Sequence, residues 1–171
     1  MTFDTQKMEA AVALHDPNAH YKPSGVIESP KFTVAGFSGT RDGMTAWQCD
    51  NLLTELKILG IEELHHGDCI GADQQAFLIA SFLEIKTVAH PPSSPLLRAF
   101  TNSNEVLPKK PYLERNRDIV DASECLIVGA KQDYPQERGG TWYTYRYAQN
   151  MGKMCSVLLR QEEGQSDGTG E

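Results

Sequence analysis

The chain has 171 residues, of which 40% are hydrophobic and 23% charged, a balance that suits one soluble domain with a real core. Its 16 basic and 23 acidic side chains leave a net charge of −7, which disfavours generic duplex-DNA binding, where phosphate neutralisation drives affinity. No apolar run approaches the roughly 18 residues that span a bilayer, and the first residues lack the basic start and apolar stretch of a leader, so a cytoplasmic protein is expected.

Residues 1–30 read as an N-terminal extension, with a short helical piece over 6–14 and then a stretch broken by Pro17, Pro23, Gly25 and Pro30. Beyond it, short apolar segments alternate with amphipathic ones. Strands are predicted at 33–37, 63–66, 86–90, 125–129 and 154–159, and helices at about 45–59, 72–83, 112–122 and 141–151. Irregular stretches fill 91–110 and 130–138, and the polar, acidic residues 161–171 read as a disordered tail. Such alternation builds βα units around a mostly parallel sheet. With right-handed crossovers it predicts an α/β fold, a single doubly wound Rossmann-like domain over 31–160 with five strands in the order 3-2-1-4-5. Ligands of such sheets lie beyond the carboxyl ends of the strands, at the switch between the first strand and the fourth. The glycine and polar residues of this chain gather at those ends.

The first strand runs into Gly36-Phe37-Ser38-Gly39-Thr40-Arg41-Asp42-Gly43. Small residues admit a ligand close to the backbone, hydroxyls donate to phosphate oxygens, and Arg41 offers a fork of donors. The loop is neither a GxGxxG fingerprint nor a Walker loop, and Asp42 or Thr45 suits a helix cap equally well. After the second strand come Gly67, Asp68, Gly71 and Asp73. The two glycines permit a tight turn onto a helix N-terminus, which favours anions. Asp68 or Asp73 can accept from ribose hydroxyls or orient Arg41, and Asp73 also suits a plain structural carboxylate. His65 and His66 are adjacent on a strand and point to opposite faces, so no metal site is expected. The scattered Cys49, Cys69, Cys125 and Cys155 lack CxxC spacing and read as free thiols.

The third strand ends at His90, which suits base stacking or an ordinary strand end. On the next helix Arg115 and Arg117 lie about 200° apart, so only one can face a ligand. Arg115 is expected inward with Asn116 beside it. Finally, Arg138-Gly139-Gly140-Thr141 opens a helix and forms a second anion cradle facing the first. The aromatic residues Trp142, Tyr143, Tyr145 and Tyr147 on that helix suit core packing with a homodimer interface, or base stacking.

The fragments GFSGTRDG, HHGDCIGADQQA, YLERNRDIVDAS and RGGTWYTYRYA, in that order over 34–159, resemble the SLOG superfamily. This group includes the DNA-processing protein A type and the Lonely Guy type of nucleotide phosphoribohydrolase. The resemblance implies a phosphate site at Gly139, Gly140 and Thr141 facing Ser38, Gly39 and Arg41, with Gly67, Gly71 and Asp73 as second-loop contacts. It also aligns Glu114-Arg115-Asn116 with a motif whose arginine assists catalysis in Lonely Guy enzymes. One departure matters, because Thr144 stands where those enzymes carry a catalytic glutamate. Asp68, Asp73 or Glu114 would have to replace it, since glycosidic cleavage ordinarily needs a carboxylate. The expectation is therefore binding of a nucleotide or ADP-ribose-like ligand, with no resident cofactor. A phosphoribohydrolase using Arg115 and Asp73 is the alternative, and single-stranded nucleic-acid binding ranks last.

Overall fold

Beta-forming segments meet in one parallel sheet: β1 (Val34–Gly39), β2 (Glu63–His66), β3 (Lys86–Ala89), β4 (Glu105–Val106), β5 (Cys125–Gly129) and β6 (Met154–Val157). Their order is β4-β3-β2-β1-β5-β6 in this computed structural model, which describes residues 31–160. The extension at 1–30, with its helical 6–14, and the tail at 161–171 lie outside the described residues. Among the described residues there are four α-helices, α1 (Ala46–Leu59), α2 (Ala72–Phe82), α3 (Tyr112–Ala122) and α4 (Gly140–Asn150).

The chain is doubly wound because its central strands are apolar on both faces. Cys125 and Ile127 of β5 pack with α1 and α2, while Leu126 and Val128 pack with Trp142 and Ala148 of α4. Such near-continuous apolar strands belong to parallel sheets covered on both sides. The order reverses between β1 and β5, and that switch point locates the site.

The expected five strands with order 3-2-1-4-5 hold as the inner framework, but the sheet has six strands and is wholly parallel. The addition is β4, two exposed residues within the stretch read as irregular. Side chains hold it rather than an apolar pattern: Asn104 accepts from the Thr87 amide at 2.8 Å, which fixes β4 beside β3. The first strand also runs further than expected. Ser38 and Gly39 pair with Val128 and Gly129, so half of the first cradle is strand rather than loop.

Thr45, not Asp42, caps α1, in a reciprocal capping box with Gln48. Gln48 itself is fully buried, and its Nε2 donates to the carbonyls of Ala130 at 2.9 Å and Leu158 at 2.8 Å. One amide thus joins α1 to the ends of two strands. Gln48→Leu would strand both carbonyls, at a cost of about 2–4 kcal/mol. Urea unfolding is expected to show the unfolding free energy falling by that amount, as a lower midpoint with an unchanged slope.

Candidate functional site

Beyond the carboxyl ends of β1 and β5 lies a cleft of about 710 Å³. Gly39, Thr40 and Arg41 form one wall, Gly139, Gly140 and Thr141 the other, and Tyr112, Trp142 and the two ends of the 130–138 segment, 130–132 and 136–138, complete it. The structure therefore brings together six of the residues expected at the ligand. Charge is segregated here: Arg41, Lys131 and Arg138 line the cleft, and Glu137 is the one carboxylate among its lining residues.

The wall at α4 is built for open amides. Gly139 precedes the helix at φ 111°, a left-handed conformation that glycine alone adopts without strain, and no side chain caps the first turn. Neighbours fix the helix start. Thr141 Oγ1 donates to the Gly39 carbonyl at 3.0 Å, so this hydroxyl joins the two cradles. Asn116 Nδ2 donates to Thr144 Oγ1 at 2.8 Å, and that hydroxyl donates at 2.8 Å to the Gly140 carbonyl. Both residues are buried. Thr144, in the place of the expected glutamate, is thus a strut between α3 and α4.

Arg41 is exposed, and its guanidinium lies 5.6 Å from the centre of the Tyr112 ring. Asp42 is not a free acceptor, because Lys131 binds it at 2.9 Å and holds its carboxyl below the usual carboxylate range. This pair links the first cradle to the 130–138 segment. Trp142 Nε1 donates to Gln132 at 3.3 Å, and Arg146 donates to the Glu137 carbonyl at 3.1 Å, so α4 holds that segment from below.

The second loop sits behind the cleft. The Ala72 amide donates to the Thr40 carbonyl at 3.0 Å, and a Cβ on Gly71 would stand 2.3 Å from the Arg41 carbonyl oxygen. The start of α2 is therefore occupied by the first loop. Gly67, Asp68, Gly71, Asp73, His90, Arg115 and Asn116 do not line the cleft, and neither do Ser38 or Asp42. Asp68 is fully buried and ties down the segment after β3: Arg98 Nε donates to it at 2.7 Å, and the Thr101 amide and hydroxyl at 2.9 Å each. His90 is buried against His65, with ring nitrogens 2.8 Å apart.

Arg115 turns inward and Arg117 outward to the Tyr143 hydroxyl, as their helical spacing requires. The Arg115 guanidinium packs against Gly67, where a Cβ would stand 1.4 Å from Nη1. It stacks 4.7 Å from the Tyr112 ring centre, donates to Cys69 Sγ at 3.0 Å, and stands 3.8 Å from Asp73. Burial pushes the Asp73 carboxyl up to about 6 despite Arg115 and the Cys69 amide, which favour its charged form. Burial also depresses two histidines, His66 to about 4 and His90 to about 3. The four cysteines are free. Among the described residues, no group of three or more ligating side chains forms a metal site, and no helix is long and apolar enough to cross a membrane.

The sequence reading missed Lys131, Gln132, Gln136 and Glu137, which lie in an aperiodic loop without glycine, and it did not single out Tyr112. The only available signal was position, immediately after the strand at the switch point.

No protein-family model and no curated protein sequence matches the chain. Solved structures do. The molybdenum cofactor binding protein from the phototrophic bacterium Rippkaea orientalis is 19% identical with a TM-score of 0.59, over 75% of this chain and 77% of that one. DNA processing protein A from Streptococcus pneumoniae is 18% identical with a TM-score of 0.57, over 80% of this chain and 54% of that one, so the chain spans about half of that protein. The Helicobacter pylori protein of the same name is 26% identical with a TM-score of 0.54, over 80% of this chain and 69% of that one. The chain has the SLOG-type fold, as its ordered motifs imply.

The buried titrating groups oppose one another. His66 and His90 have folded values below their unfolded ones, so their contribution is present above about pH 6.5 and is lost on acidification. Asp73 has a raised folded value and acts in the opposite sense, its contribution being lost as pH rises from about 4 to 6. Asp73→Asn removes the opposing member. Between pH 7 and pH 5 the variant is expected to lose more stability than the wild type, measured as the difference in urea midpoints. An equal or smaller loss would contradict this assignment.

Proposed function

We propose that the chain binds a small phosphate-bearing ligand of the nucleotide or ADP-ribose type in the cleft at the β1/β5 switch point. The observation that carries this reading is the juxtaposition of the uncapped α4 start with Arg41, Lys131 and Arg138. A helix start with free amides favours an anion, and Arg41 and Arg138 beside it, with Lys131 already paired to Asp42, offset phosphate charge that the chain's overall −7 would repel. In this reading the amides after Gly139 hold the phosphate, and Tyr112 offers an aromatic wall. The volume is within the range of ordinary small-ligand pockets, about 300–1,000 Å³.

Binding is favoured over hydrolysis because, of the three carboxylates that would replace the missing glutamate, two are committed elsewhere and Glu114 does not line the cleft. Asp68 is held by Arg98 and Thr101, Asp73 lies buried beside Arg115, and Thr144 spans α3 and α4. Glu137 alone remains in the cleft.

The test is a thermal-shift and calorimetric panel of nucleoside monophosphates, NAD, ADP-ribose and cyclic ADP-ribose variants. The molybdenum cofactor belongs in it because a structural neighbour binds it, and single-stranded DNA because the Helicobacter pylori protein does. At least one nucleotide-type compound is expected to stabilise the chain. Arg41→Ala, an exposed change, is expected to weaken that compound roughly tenfold or more while leaving the melting temperature of the free protein unchanged. No stabilisation up to millimolar concentration would reject the reading, and release of free base would restore the hydrolase.

A further inference from the structure

The side chain of Tyr112 sits where an anion would be most at home. Its ring centre lies 4.7 Å from the Arg115 guanidinium and 5.6 Å from that of Arg41. The ring is also pressed against the α4 start, since a Cβ on Gly140 would stand 2.4 Å from Cε1 and 2.5 Å from the hydroxyl oxygen. Two guanidinium groups and a helix N-terminus thus converge on the negative face and rim of an aromatic ring, which is a weak substitute for a negative charge.

Arg115 is incompletely satisfied in this arrangement. It is 4% exposed, and its Nε is the one buried side-chain nitrogen or oxygen among the described residues without a hydrogen-bond partner. Its approach to Asp73 is a loose 3.8 Å, and its Nη2 donates to a thiol, a poor acceptor. A buried guanidinium left with weak partners is costly, so a better acceptor has a large margin to exploit.

We propose that Tyr112 closes an anion subsite continuous with the cleft, and that its displacement lets Arg115 and Arg41 clamp the second phosphate of a diphosphate ligand. This rests on the ligand reading above and sharpens it: the preferred ligand carries two linked phosphates, one on the α4 amides and one in the space the ring vacates. Tyr112 is suited to move, being the first residue of α3, half-buried, and on the cleft wall.

The probe is inorganic pyrophosphate, titrated calorimetrically into the wild type, Tyr112→Ala and the double variant Tyr112→Ala/Arg115→Gln. Removing the ring is expected to tighten pyrophosphate at least tenfold, and removing Arg115 as well is expected to abolish the gain. Should alanine leave the chain unfolded, Tyr112→Leu keeps apolar bulk without the aromatic face, and the same Arg115-dependent gain is expected. No tightening on loss of the ring, or a gain that survives loss of Arg115, overturns the proposal. A pyrophosphate gain without stabilisation of the wild type by any nucleotide would sink the ligand reading and leave the subsite standing. Nucleotide binding without the gain would do the reverse.

Discussion

The buried guanidinium of Arg115 is the constraint on which the neighbourhood of the cleft depends. A side chain this size, charged and almost fully enclosed, needs a floor, a roof and counter-charge. The floor is Gly67, where any side chain would collide with the guanidinium, and the roof is Tyr112. Counter-charge comes from Asp73 in the first turn of α2. Because these partners come from the β2–α2 loop and α3, on opposite faces of the sheet, the arginine pins the two layers together at the carboxyl edge. The position of Tyr112 against Gly140, and hence the width of the cleft, follows from that attachment.

A second set of contacts orients the α4 start against this frame. The chain Asn116–Thr144–Gly140 and the bond from Thr141 to Gly39 act at different points of the first turn, one from α3 and one from β1. Together they hold the helix while leaving its first amides open. This arrangement explains how a threonine at position 144 serves the α4 start. A glutamate there would project a longer charged group from a position that is fully buried, against an amide donor set for a hydroxyl.

Much of the framework was legible in the sequence because apolar strands and amphipathic helices leave periodic traces. The inner strand order is the one expected of a doubly wound sheet, and the divergence of Arg115 and Arg117 follows from helical spacing, which does not say which of them turns inward. The strand β4 left no trace, since Glu105 and Val106 are exposed and their register comes from Asn104 rather than from burial. At the site, the first and last loops were legible from their small residues. The second loop shares their composition, yet Gly71 serves close packing against the Arg41 backbone, and Asp68 and His90 serve buried contacts. Glycine and aspartate at a strand end signal close approach, and sequence alone does not say whether a ligand or another loop approaches.

The distribution of carboxylates gives the cleft its sign. The chain carries more acid than base, yet apart from Glu137 the acids near the switch point are withdrawn from solvent or paired: Asp68 with Arg98, Asp73 beside Arg115, Asp42 with Lys131. Arg41 and Arg138 are left facing the cleft with the α4 amides. Their local field survives the overall negative charge because Coulomb interactions beyond about 8–10 Å are screened at ordinary ionic strength. The buried acids also do more than step aside. Asp73 is held beside Arg115 at a distance that leaves both under-compensated, so the positive potential behind Tyr112 is only partly cancelled.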